Sequence, residues 1–357
     1  MTNYARLALA ACLILVAANV GCGESRHTLR ISDNRLVDAL GQSIRLVGVN
    51  RSGAEYACIQ NLGFFDGPTD DRAIAAMVAW RINAARLPLN EDCWLAINGA
   101  PAEYSGAPYR AAVVDYVTRL HQAGLYVVLD LHWSAPGAAK ATGQRPMADL
   151  DHTPSFWSSV ATTFRDDQNV LFDLYNEPHD ISWECWRDCC VMPGGWRAAG
   201  MQRLVDAVRA TGARQPIILS GIGWANDLSA WLRYRPDDPA DQLVAGFHVF
   251  DFNRCVTPTC WKEGAGAVAR SVPVVTTELG QRDCSKPFLD SFMTWADSAG
   301  LSYLGWTWNL HGCKGPALIS SWQGRPTPSG EALRTRSLRI QAPPIPTAVR
   351  LLFPQPK

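Results

Sequence analysis

Eight apolar runs of strand length, separated by stretches of helical pattern, restrict this chain more than any other feature. They cover residues 44–49, 82–87, 126–132, 170–175, 216–220, 243–248, 272–278 and 301–308. Short apolar runs bounded by turn residues read as buried strands. Helical patterns lie between them at 69–80, 109–123, 155–165, 195–211, 264–270 and 286–299, with a shorter one at 223–235 and a last one from 329 to about 338. Strict alternation calls for parallel strands, each crossover covered by a helix. Eight such units predict an α/β protein, a single closed (β/α)8 TIM barrel rather than an open doubly wound sheet. No Gly-x-Gly-x-x-Gly follows an early strand, which argues against a dinucleotide-binding sheet. Residues 28–44 alternate apolar and polar around an Asp33-Asn34 turn and a second turn at Ala39-Leu40-Gly41-Gln42. They predict a short N-terminal β-hairpin.

The ends read differently from the middle. Residues 1–23 form an export signal, with Arg6 at its positive start and an apolar run from Leu7 to Ala18. Asn19-Val20-Gly21-Cys22 resembles a lipoprotein cleavage site with Asn19 where leucine is usual, so lipid attachment at Cys22 and plain release both stay open. From Gln341 onward a proline-rich tail is expected to be mobile, which puts the barrel domain at 28–338 and the tail at 339–357. Lys plus Arg equals Asp plus Glu at 33 each, so no net field favours nucleic acid or an anionic membrane. A monomer is expected. Cysteines 58, 93, 185, 189, 190, 255, 260, 284 and 313 in an exported chain imply disulfides. The expected pairs are Cys58 with Cys93, Cys255 with Cys260, Cys284 with Cys313, and Cys185 with either Cys189 or Cys190. Adjacent cysteines without a nearby histidine pattern fit zinc poorly.

Chemistry in a barrel of this kind gathers at the C-terminal ends of the strands. There the fourth run closes on Asn176-Glu177-Pro178 and the seventh on Glu278-Leu279-Gly280. Two glutamates at the same end of parallel strands can face each other across a sugar, one as acid and the other as nucleophile. Other tips carry Asn50-Arg51, Arg86, His132-Trp133, His248 and Trp306-Thr307-Trp308-Asn309. The chain has 14 tryptophans, and the aromatic faces that are not core offer platforms for sugar rings.

These tips carry a resemblance to glycoside hydrolase family 5, the cellulase-type family in the clan of retaining (β/α)8 glycosidases. The matching segments are Ile82-Asn83-Ala84-Ala85-Arg86-Leu87-Pro88, Leu129-Asp130-Leu131-His132-Trp133, Tyr175-Asn176-Glu177-Pro178, Gly246-Phe247-His248, Thr277-Glu278-Leu279-Gly280 and Trp308-Asn309-Leu310. They occur in the family's order. The resemblance implies Glu177 as acid/base and Glu278 as nucleophile, with Arg86, His132, Asn176, His248 and Trp308 binding substrate or supporting the pair. It implies no metal or organic cofactor. One position departs from the family pattern. Phe250 stands where the family usually has a tyrosine whose hydroxyl bonds the nucleophile, and Tyr56 or Tyr303 could supply a hydroxyl from another strand.

Arg86 near Glu278 should lower that carboxyl's pKa, while the charge of Glu278 should raise that of Glu177. Three functions follow as expectations: an endo-acting β-1,4-glucanase; the same chemistry on mannan or a glycolipid; and a weakly active glycan-binding protein.

Overall fold

A computed structural model describes residues 28–340. The export signal, Cys22 and the proline-rich tail lie outside the described residues. Two short strands, β1 (Arg30–Ser32) and β2 (Arg35–Val37), pair antiparallel around Asp33. Eight parallel strands follow: β3 (Val47–Asn50), β4 (Ala84–Asn90), β5 (Tyr126–Trp133), β6 (Val170–Asp173), β7 (Ile217–Ser220), β8 (Leu243–Phe250), β9 (Val274–Gly280) and β10 (Ser302–Gly305). They close in the order β10-β3-β4-β5-β6-β7-β8-β9, the barrel with hairpin that the alternation predicts.

The period of two along each strand sorts side chains between two cores. Ala84, Tyr126, Val128, Leu171, Ile218 and Val244 point inward and fill the lower barrel together with Leu29 and Leu36 of the hairpin. The alternate residues, such as Ala85, Leu87, Val127 and Leu129, pack outward against the helices. Continuing the inward set up β4, β5 and β6 leads from apolar residues to Arg86, Asp130, His132 and Asp173. The polar site is therefore the top layer of the same interior.

In β9 the alternation breaks. His248 pairs with Glu278, whereas its neighbour Phe247 pairs with Thr276, so β9 carries an extra residue at Thr277. Simple alternation would place Glu278 on the helix-facing side with Thr276. The bulge turns it into the barrel.

Several helices are shorter than the sequence suggests. The 195–211 pattern yields only Met201–Arg209. Gly194, Gly195 and Gly200 adopt positive φ, and a Cβ on Gly200 would lie 2.5 Å from the Asp188 carbonyl carbon. The 223–235 span is helical only over Trp231–Tyr234, after a turn in which Gly223, Trp224 and Ala225 all have positive φ. The 264–270 pattern yields only Ala265–Val268, and a helix that the pattern does not include, Pro258–Glu263, precedes it.

Among the described residues four disulfides form, Cys58–Cys93, Cys185–Cys190, Cys255–Cys260 and Cys284–Cys313, which leaves Cys189 free. No helix among the described residues is long and apolar enough to cross a membrane.

Candidate active site

Arg86 rises from β4 into the centre of the barrel mouth and is completely buried. Its Nε donates to Asp173 at 2.9 Å, Nη1 to Asn50 at 2.9 Å and to Glu278 at 2.8 Å, and Nη2 to Asn176 at 2.8 Å. Nη2 also lies 3.0 Å from Asp130. One guanidinium thus ties together five strands or strand ends. It cannot neutralise three buried carboxylates at once. Burial accordingly pushes Asp130 up to about 7 and Asp173 up to about 8, so the cluster retains protons that exposed aspartates would lose.

Glu177 and Glu278 meet above this base. An oxygen of each and a ring nitrogen of His248 lie within 4.8 Å of one another. His248 Nδ1 sits 2.9 Å from Glu177 and 3.6 Å from Glu278, and its Nε2 sits 2.9 Å from the Thr277 hydroxyl. Burial drives the His248 pKa down to about 3, so the ring is neutral. Three such donors are compact enough for a metal, but Arg86 at 2.8 Å from Glu278 already places a cation there.

Burial pushes Glu177 up to about 7. That cause, rather than the charge of Glu278, sets its shift. Glu278 is also raised, by burial, although His248 and Arg86 pull the other way. The expected lowering by Arg86 is present but smaller than the cost of burying the charge, and Arg86 is shared with two aspartates.

His132 keeps its place at the tip of β5, its Nδ1 2.7 Å from Asp130 and its ring stacked on Trp306 at 5.5 Å between centroids. Asn176 gives Nδ2–H bonds of 3.1 Å to Gln144 and 3.4 Å to His132 Nε2. Trp308, expected to face substrate, does not. It is fully buried and packs edge-on against Trp80 at 4.7 Å. Trp306 lines the cleft instead. The chain leaves β10 at Gly305, so the period of two that would put both rings on one face ends before them. Arg86 and His248 are buried beneath the carboxyls rather than open to the cleft.

Phe250 lines the cleft with its ring against Gly280, where a Cβ would lie 2.4 Å from Phe250 Cε1. Neither alternative phenol reaches Glu278. Tyr56 donates to Asp66 at 2.5 Å, and Tyr303 donates to Asp297 at 3.0 Å. Asn50, Asp130 and Thr277 stand in the sequence only as tip or motif residues without a role, and Asp173 not even so, because their roles depend on contacts across the barrel. The cleft holds about 1170 Å³. Trp224 stands on its wall, stacked on His179 at 3.6 Å and 7°.

The sequence of this site and its barrel has known counterparts. The cellulase family, glycosyl hydrolase family 5, matches residues 37–312. Endoglucanase 1 of Saitozyma flava is 29% identical over 53% of this chain and 52% of its own length. The chain spans about half the length of the first curated relatives it matches. A mannan endo-1,4-beta-mannosidase of Streptomyces lividans is 21% identical over 80% of this chain and 67% of its own. Among solved structures, the beta-glucanase SdGluc5_26A of Saccharophagus degradans superposes with a TM-score of 0.70 at 18% identity, over 89% of this chain and 94% of that one. That likeness shows the fold. The Saccharophagus protein has also been solved in complex with cellotetraose.

Proposed function

The chain belongs to glycosyl hydrolase family 5, and from that premise we propose that it hydrolyses β-linked glycans, a β-1,4-glucan foremost, by double displacement with retention at the anomeric carbon. One observation carries the reading: carboxyl oxygens of Glu177 and Glu278 approach within 4.8 Å at the floor of a single cleft. Retaining enzymes need carboxyls about 5–5.5 Å apart, whereas inverting ones leave room for a water between them.

Glu278 is the nucleophile. Arg86 holds one of its oxygens and leaves the other to attack the anomeric carbon. Glu177 is the acid/base. Its raised pKa keeps the proton that the leaving oxygen needs, and once the glycosyl-enzyme has formed, the same carboxylate takes a proton from water. Neutral His248 lies between the two carboxyls and fixes their spacing. Asn176 is oriented by Arg86 and Gln144, and its amide exchanges the long 3.4 Å contact with His132 for the sugar's 2-hydroxyl. Trp306, braced by His132, gives the flat face. The four disulfides and the leader pattern support an exported protein, acting as a monomer on polymer outside the cytoplasm or at the envelope.

Two experiments test this. A 2-fluoro-glucosyl or 2-fluoro-cellobiosyl fluoride should label Glu278, read by peptide mass spectrometry, and label on any other residue would overturn the assignment. Reducing-sugar release should be greatest on soluble β-1,4-glucan in a panel that includes mannan, and Glu278→Gln should lose at least about three orders of magnitude of it. Phe250 favours one competing reading, a glycan-binding protein with little turnover. Polymer binding without measurable hydrolysis in the wild type would establish that reading instead.

A further inference from the structure

Three cations line the cleft from consecutive strand ends. Arg254, Arg282 and Lys314 line it from the segments that follow β8, β9 and β10. All three are exposed. Among the described residues none of their side chains has a carboxylate partner. The lining also carries Asp180 and Asp227, from the segments after β6 and β7. Arg282 is held in place without an ion pair. Its guanidinium lies 4.5 Å over the ring of Phe252, which stacks on Phe250 at 5.1 Å. Of the acids near it, Asp251 accepts the Arg282 backbone N–H at 3.1 Å and Asp283 accepts that of Ser285 at 2.9 Å. A guanidinium stacked on an aromatic face keeps its edge free, and that edge matches a carboxylate with two parallel hydrogen bonds.

A neutral glucan gives three unpaired cations on one wall nothing to bind except hydroxyls. We propose that the cleft selects β-glucan chains bearing carboxylate substituents, received by Arg254, Arg282 and Lys314 while the neutral backbone lies over Trp306. This rests on the function proposed above and adds the chemistry of the side groups. No charge changes in the reaction are needed. The cations bind the substituents, and the glycosidic bond breaks as before.

The probes are carboxymethylcellulose and hydroxyethylcellulose of matched length and degree of substitution. At low salt kcat/KM on the carboxymethyl polymer should exceed that on the hydroxyethyl polymer by about tenfold, the scale of a few partly solvated ion pairs together. The ratio should collapse toward one near 0.5 M salt, where screening acts within about 4–5 Å. Arg282→Glu, which leaves a net charge of +1 on these three positions, should weaken the preference, and the combined Arg254→Gln, Arg282→Gln, Lys314→Gln variant should remove it. A ratio that ignores both salt and these substitutions overturns the inference. Retardation of Glu278→Gln in gels cast with each polymer reads the same preference from binding alone. If neither polymer is cleaved, the proposed activity falls, while equal retardation in the two gels defeats the charge selection separately.

Discussion

At the residue scale, the two glutamates divide the work through their surroundings rather than their type. Glu177 has an exposed edge and His248 as its close partner, while Glu278 is pinned by Arg86. Glu177→Ala should therefore spare aryl glycosides with good leaving groups far more than polymeric glucan, because such groups depart without a proton. Added azide should restore the second step and yield a β-glycosyl azide, and equal losses on both substrates would remove the acid/base role. Phe250 is a second residue-scale case. Phe250→Tyr adds a donor in the cleft beside a nucleophile that receives no phenol from Tyr56 or Tyr303. A gain of about 0.5–1.5 kcal/mol in transition-state binding is expected, the net worth of one hydrogen bond. A large loss of kcat/KM in a folded variant would mean that the ring's fit against Gly280 and Phe252 is itself required. Both glutamates could be located in the sequence because each ends an apolar run. Trp306 and Trp308 could not be told apart, because two tryptophans at positions i and i+2 look equivalent until the strand is known to stop at Gly305.

At the scale of elements, the site is a set of inward positions on neighbouring strands. β4 supplies Arg86, β5 supplies Asp130 and His132, β6 supplies Asp173, and the bulge in β9 swings Glu278 in beside them. Alternation within a run gives the inward and outward faces, and so the apolar layers below were legible. The arrangement of Asp130 and Asp173 around one arginine was not, because it depends on the stagger between strands, to which no single run refers. The crowding has a readable consequence. The acid must be protonated, and burial has pushed Glu177 up to about 7, so kcat/KM should fall as pH rises through that value. Glu278 must be ionised and is also raised, so the rate should fall on the acid side at a pH above the ordinary glutamate range. Both limbs belong to a coupled pair rather than to single residues. A rate profile that stays flat up to about pH 9 would contradict the assignment.

At the scale of the whole molecule, four cross-links fasten the loops around the cleft. Cys58–Cys93 and Cys284–Cys313 span 35 and 29 residues, while the other two span 5 each. Chain entropy makes the long links worth about 3.5–4 kcal/mol and the short ones about 2. Removing Cys58–Cys93 by paired alanine substitution should thus lower the denaturant midpoint more than removing Cys255–Cys260, and reductant should lower it further than either. Thiol titration of the unreduced, denatured protein should find Cys189 alone among the described cysteines, and a count near nine would refute the framework. The pairing of Cys185 was open in the sequence between two adjacent residues, and only the local turn decides it.

The hairpin beneath the barrel imposes an order of events. Ile31 N–H bonds Gln242 at 2.6 Å and Asn34 bonds the Ala269 carbonyl at 2.7 Å, across 211 and 235 residues of chain. Leu29 and Leu36 rest on Val275 and Leu304, which belong to the last two strands. A segment translated near the start thus has its partners translated near the end. Until those arrive, the hairpin cannot dock and the lower layer of the barrel stays incomplete.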